Sequence, residues 1–277
     1  DLIDNKIEKG VRLGRQLRWQ SERTPAEFLS LAKAATINFT DVAVAADGSM
    51  YIGSRLGQVL HRSADGSWQH FDTGRLAEIS TVTSLGPSEL LIGTEDGEIL
   101  RSTDGAATFA SVGAVPDGGR IVTVRKAPTG GWVVATRLIQ DDAGLTHVYF
   151  GDSLTALPSE PSKTLSQRTR PGFTKGAGPL AIPTMGANHF FLSLPGVGYH
   201  EYDFSTRNWK ETPAKGRYTD IIANNNGAVL FGLAPLRLSL DDGSTWSEPP
   251  PVKAMFQVAF FDGTTNWPSL GQSKTCR

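Results

Sequence analysis

The sequence predicts an all-β protein assembled from repeats, and three observations carry that expectation. A short stretch recurs: "SLDDGSTW" (Ser239–Trp246), "STDGAATF" (Ser102–Phe109) and the contracted "SADGSW" (Ser63–Trp68) keep serine, aspartate, glycine and an aromatic in order. What precedes two of them recurs as well, since "MYIGSRLGQVLHRSADG" from Met50 aligns with "LLIGTEDGEILRSTDG" from Leu90. Both read as an apolar strand, Gly, a polar turn with a second Gly, and another strand, and a unit repeated at this period signals a stacked-repeat architecture. Finally, the 277 residues include 30 Gly and 16 Pro and are 39% hydrophobic. That balance suits a loop-rich chain with enough apolar surface for a sizeable core.

Strand signals, meaning β-branched and aromatic runs bounded by Gly, Asn, Asp and Pro, place five units along the chain. The first, Phe39 to Asp72, holds "DVAVA", "MYIG", "QVLHR" and "WQHF". The second, Ile79 to Val112, holds "STVTSL", "ELLIG", "EILRS" and "TFASV". The third starts at Arg120 with "IVTVRKA", "GWVVATRL" and "THVYF", then loses its rhythm between Leu157 and Gly178. The fourth, Pro179 to Pro213, holds "NHFFLSL", "GYHEYDF" and "NWKET"; the fifth, Tyr218 to Pro249, holds "DIIAN", "AVLFGL", "LRLSL" and the opening "TWSE".

The two ends read as halves of a sixth unit. "FQVAFFDGTTNWPSLGQ" from Phe256 supplies a first and a second strand. "GVRLGRQLRWQS" from Gly10 matches "GSRLGQVLHRS" from Gly53, which places it at the second turn and third strand, with "EFLSLA" from Glu27 as the fourth. Pairing the halves closes a ring and removes exposed strand edges. The expected architecture is a single domain over residues 1–277, a six-bladed β-propeller of four-stranded blades with one blade shared by the termini. The alternative is seven blades, which needs the 157–178 stretch to form a blade of its own.

The three recurring turns resemble the Asp-boxes of the bacterial neuraminidase repeat, S-x-D-x-G-x-T-W. "GQVLHRSADG" and "GEILRSTDG" resemble blades of the photosystem II assembly factor family and its non-photosynthetic bacterial relatives. "SLDDGSTW" carries the pattern in full, whereas glycine is displaced in "STDGAATF" and residues are missing from "SADGSW". The resemblance implies that each box is a turn between the third and fourth strands of a blade. Ser63, Asp65 and Trp68, Ser102, Asp104 and Phe109, and Ser239, Asp241 and Trp246 then form structural boxes, the aspartate capping backbone N–H groups and the aromatic packing between strands. Asp and Gly suit a tight turn, and an indole is a large apolar payload.

Composition removes several function classes. With 27 Lys plus Arg against 28 Asp plus Glu, the near-zero net charge argues against a nucleic-acid partner. No apolar run approaches the roughly 18 residues that a membrane span needs. The one cysteine, Cys276, allows neither an intrachain disulfide nor a cysteine-rich zinc site. His61, His70, His147, His189 and His200 show no metal-binding spacing, so no metal and no cofactor are expected. The sialidase pattern is broken at "LAIPT", where Ala181 stands at the clamp arginine's position. Glu201 and Tyr202 in "YHEYD" are neighbours on a strand and point to opposite sides. No catalytic residue is assigned.

Function is therefore expected on a propeller face or in the channel. The turn between second and third strands carries Arg12 in "GVRLG", Arg55 in "GSRLG", Glu95 in "GTEDG" and Arg137 in "ATRLI", and arginine suits bidentate contacts and interfaces. The repeated "TD" pairs make Asp41 and Asp220 candidates for the channel. The expected function is a non-enzymatic, monomeric assembly or accessory scaffold docking a protein partner, a membrane protein among the clients considered. The alternative is a glycan or small-ligand binder with weak glycoside hydrolysis. Because the chain begins at Asp1 without Met, a removed secretory signal and a periplasmic or extracellular location are expected.

Overall fold

The computed structural model describes residues 7–13, 16–21, 38–140, 143–168, 181–194, 198–213, 218–224, 227–232, 237–242 and 244–247. It divides into two compact units. One comprises Asp1–Val124, Trp132–Thr136 and Val148–Ser162; the other comprises Arg125–Gly131, Arg137–His147 and Lys163–Arg277.

Every described strand belongs to a sheet of sequence neighbours. β1 (Ile7–Leu13) and β2 (Gln16–Ser21) form a hairpin. β3 (Phe39–Val44), β4 (Met50–Ser54), β5 (Gln58–Arg62) and β6 (Trp68–Asp72) make the first four-stranded sheet. β7 (Ile79–Ser84), β8 (Leu90–Thr94), β9 (Glu98–Ser102) and β10 (Ala110–Ala114) make the second. β11 (Arg120–Lys126), β12 (Trp132–Gln140), β13 (Ala143–Gly151) and β14 (Lys163–Arg168) make the third. β15 (Ile182–Met185), β16 (His189–Leu194), β17 (Gly198–Asp203) and β18 (Asn208–Pro213) make the fourth. β19 (Tyr218–Asn224), β20 (Gly227–Gly232) and β21 (Arg237–Ser239) make a three-stranded fifth.

The expected units thus coincide with sheets, with three differences. Lys163–Arg168, in the stretch where the rhythm fades, is the fourth strand of the third sheet. Its side-chain pattern hangs on one buried apolar residue, Leu165, too little for alternation to register. The fourth sheet opens with β15, which contains Pro183; proline demotes a strand signal, yet here it sits on a strand paired, among the described residues, to β16 alone. At the N-terminus Arg12 lies within β1, opposite Leu17, and not in a turn. "EFLSLA" and the stretch from Phe256 lie outside the described residues.

Alternation decides how the first two sheets meet. Ala43, Tyr51, Val59 and Phe71 present one face of the first sheet to Val82, Leu90, Ile92 and Leu100 of the second. Successive residues face opposite ways, so Leu91 and Ile99 pack on the other side with Ile121, Val124 and Val134. Each such side chain, fully removed from water, contributes roughly 1.5–3 kcal/mol. The first strands of successive sheets are also laced together by polar side chains. The Val82 N–H donates to Asp41 Oδ2 at 2.7 Å, and the Thr83 hydroxyl donates to the Val124 carbonyl at 2.7 Å, each across 41 residues. In the second unit the Thr184 hydroxyl donates to the Ile221 carbonyl at 2.7 Å.

The opposite face of the first sheet is bare. Val42 is 53% exposed, Val44 61% and Trp68 54%, whereas Val82, at the position of the second sheet that matches Val42, is fully buried.

The recurring turns of the first two sheets lie between third and fourth strands, the last follows β21, and those at Ser102 and Ser239 share one hydrogen-bond pattern. In the second sheet Asp104 Oδ1 accepts from the Thr108 N–H at 2.9 Å and from the Ser102 hydroxyl at 2.8 Å, while Oδ2 accepts from the Thr108 hydroxyl at 2.6 Å. After β21, Asp241 accepts from the Thr245 N–H at 2.8 Å, the Thr245 hydroxyl at 2.5 Å and the Ser239 hydroxyl at 2.8 Å. In the contracted copy Asp65 accepts from the Ser67 N–H at 2.9 Å. Phe109 packs against the core between the first two sheets, and Trp246 lies 5.9 Å from Tyr199. Trp68 departs from the expected packing because it stands on the bare face.

These bonds favour the ionised carboxylate. The Thr108 hydroxyl, above all, holds Asp104 at about 2, below the ordinary 3.8. A depressed carboxylate stabilises the fold fully above its unfolded pKa and loses that contribution as pH falls through the folded value. The melting temperature of the wild type should therefore fall more steeply than that of Asp104→Asn between about pH 5 and about pH 2. Parallel acid limbs in the two proteins would show that the turn does not hold the charge.

Candidate functional site

One end of the first two sheets gathers the charged turn residues. Arg55 opens a short 3-10 turn, Arg55–Gly57, between β4 and β5. Gly57 is required there, with φ at +70° and a Cβ that would lie 2.1 Å from the Arg75 carbonyl oxygen. The Arg55 side chain is 61% exposed, and its Nε lies 3.3 Å from Glu78 Oε2, while Arg120 Nη2 holds Glu78 Oε1 at 2.6 Å. Arg75 grips Glu98 through Nε at 2.8 Å and Nη2 at 3.0 Å. Glu95, in the turn between β8 and β9, accepts from the Glu78 N–H at 3.4 Å. The rim therefore carries both signs, with Arg55 oriented by an acid and reaching into solvent.

Arg137 does not join it. β12 runs through Arg137 to Gln140, and the half-buried guanidinium donates from Nη2 to the Ala181 carbonyl at 3.2 Å. Asp41 follows a register shift in β3, and Asp220 follows the equivalent shift in β19. The Asp41 carboxylate is engaged by the Val82 N–H, which makes it a brace between two strands.

A second gathering of ionisable groups lies in the other unit, and the sequence did not point to it. Asp242, buried at 6%, adopts φ +56° in the turn after β21. Its Oδ1 accepts from the Ala187 N–H at 2.9 Å, and its Oδ2 accepts from the Asn188 N–H at 2.5 Å and faces His189 Nδ1 at 2.9 Å. Gly186 permits this approach, since a Cβ there would meet Asp242 Oδ1 at 2.0 Å. His189 Nε2 looks at Glu201 Oε1 at 3.5 Å and Asp203 Oδ1 at 4.0 Å. Glu201 is 5% exposed, and its Oε2 has no hydrogen-bond partner. Tyr202 points the other way, 5.1 Å from Trp209, as strand alternation requires. Among the described residues, no His, Cys, Asp and Glu group has the geometry to hold a metal ion.

No family model and no curated protein matches the chain. Solved structures do. YCF48 bound to D1 peptide superposes with a TM-score of 0.51 at 17% identity, over 85% of this chain and 71% of that one. YCF48 from Cyanidioschyzon merolae gives 0.50 at 14% identity, over 86% and 76%. Virginiamycin B lyase from Staphylococcus aureus gives 0.51 at 12% identity, over 78% and 71%. The fold is a β-propeller. At these identities the likeness is one of architecture, and a propeller shared with both a peptide-bound protein and a lyase carries no activity of its own.

Proposed function

We propose that this propeller is a non-enzymatic docking scaffold whose charged rim, centred on Arg55 and Glu95, engages a protein partner. The observation behind the reading is the Arg55–Glu78–Arg120 arrangement: an acid orients a guanidinium that stays 61% exposed, which leaves it available for a partner's carboxylate. Because Glu78, Glu95 and Glu98 stand among Arg55, Arg75 and Arg120, the rim suits a partner of mixed charge, and complementarity of this kind sets specificity and encounter rate more than affinity. The peptide bound by YCF48 is a precedent in a similar fold. The reading extends to an exported, monomeric protein with a membrane protein among its clients. It also takes the recurring turns as Asp-boxes and the propeller as six-bladed, the last blade built from terminal stretches; the bare face of the first sheet is what a further blade would cover. The channel-ligand alternative is weakened by the engagement of Asp41 with a backbone N–H.

The test is a pull-down from solubilised membranes of the source organism, comparing wild type with Arg55→Glu at two salt concentrations. A partner held by wild type, weakened by salt and lost by the still-folded variant is the expected result. Equal retention by both proteins, or capture of nothing by either, overturns the docking reading.

A further inference from the structure

The protonation of the His189 cluster follows from which atoms can donate. The N–H groups of Ala187 and Asn188 can only donate, so Asp242 accepts from both, and its short contact with His189 Nδ1 requires the hydrogen to lie on the ring nitrogen. Nε2 is then left facing Glu201 and Asp203. A bare Nε2 lone pair opposite the buried Glu201 carboxylate would repel it, and an unpaired buried carboxylate is costly. A proton held between Nε2 and Glu201 Oε1, 3.5 Å apart, would relieve both.

We propose that this shared proton operates a latch: with it, His189 ties the turn after β21 to the head of β16 through Asp242, and without it the tie loosens. Proton loss surrounds an uncharged ring with three carboxylates, Asp242 from the turn and Glu201 and Asp203 from β17. Lys210 on β18 is then the remaining cation acting on Glu201 among the described residues. Asp203 stays ionised throughout, because the Ser205 hydroxyl, with further hydrogen bonds from Ser205 and Thr206, holds it at about 2. Burial, the largest influence on Glu201, raises its carboxyl above the ordinary range. A group whose pKa is raised by folding stabilises the protein below its unfolded pKa and loses that contribution as pH rises through the folded value. The latch therefore opens in the alkaline direction, opposite to the acid loss predicted for Asp104. The device is local to the second unit and does not depend on the docking reading.

Hydrogen exchange tests it directly, because the Ala187 and Asn188 amides are bonded to Asp242 and report the tie. Protection corrected for intrinsic exchange would be followed from about pH 6 to about pH 9, above the range in which an ordinary glutamate titrates. The Val82 amide, bonded to Asp41 in the other unit, serves as an internal reference. Protection at Ala187 and Asn188 should fall about ten-fold or more across the range while Val82 holds, and Glu201→Gln, which keeps the shape and removes the charge, should abolish the slope. Unchanged protection in wild type, an equal slope in Glu201→Gln, or a fall that Val82 shares would each overturn the latch.

Discussion

Asp242→Ala should melt well below the wild type, by on the order of 10 °C, and should be the most damaging single change in the second unit. The substitution strands two buried backbone N–H groups, of Ala187 and Asn188, and removes the anion facing His189. Breaking a buried charge pair by deleting one partner costs about 3–5 kcal/mol, and in a chain of this size each kcal/mol moves the midpoint by roughly 2–4 °C. Asp241→Ala, at the adjacent residue, is the natural comparison. Its carboxylate is held at the exposed turn by Thr245 and Ser239, so its loss should be much the smaller. Thermal and urea denaturation of the two variants would decide the matter. If Asp241→Ala proved the worse of the pair, the cost would belong to the turn itself and not to its buried junction with Gly186–His189.

The second large effect is expected at the glycine that ends the repeated "IG" of "MYIG" and "LLIG". A Cβ on Gly93 would lie 2.5 Å from Ile121 Cγ2 and 2.8 Å from Thr81 Cγ2, and one on Gly53 would lie 2.5 Å from Ile79 Cγ2. The contacts with Ile121 and Ile79 are between sheets, and the strands there are already braced to one another by side chains: Asp41 accepts from the Val82 N–H, and the Ser80 and Thr83 hydroxyls donate to the Ile121 and Val124 carbonyls. Neither side can retreat without losing one of them. Overpacking of this kind costs about 1–3 kcal/mol. Gly93→Ala should fall within that range, and Gly93→Val, which adds branching against the same isoleucine, should reach or exceed its upper end. A valine variant as stable as the alanine one in chemical denaturation would mean that the two sheets can separate freely at this point.

The rhythm of strands and turns was legible because its causes are local. The apolar runs in "ELLIG" and "EILRS", bounded by Gly and polar residues, mark strands from the residues themselves. The Asp-centred turns close hydrogen bonds within seven residues, Ser102 to Thr108 and Ser239 to Thr245, so a shared serine, aspartate and threonine produce the same geometry in two places. Where local signals were thin, the reading slipped. Leu165 alone could not announce β14, and Pro183 hid β15. Arg137 was aligned with Arg55 as a turn residue, but the β-branched and aliphatic residues around it extend β12 to Gln140, and its guanidinium reaches the Ala181 carbonyl 44 residues away.

What the sequence determined by itself was therefore the all-β character, the repeat and the turn chemistry, each specified by neighbours within a single unit. Only the tertiary structure decided what the charged side chains do. Asp41 meets Val82 across 41 residues, and His189 meets Asp242 across 53. The physical reason is that a side chain's partner in a stacked-sheet protein is set by which face packs on which neighbour. No pattern within one strand encodes that choice.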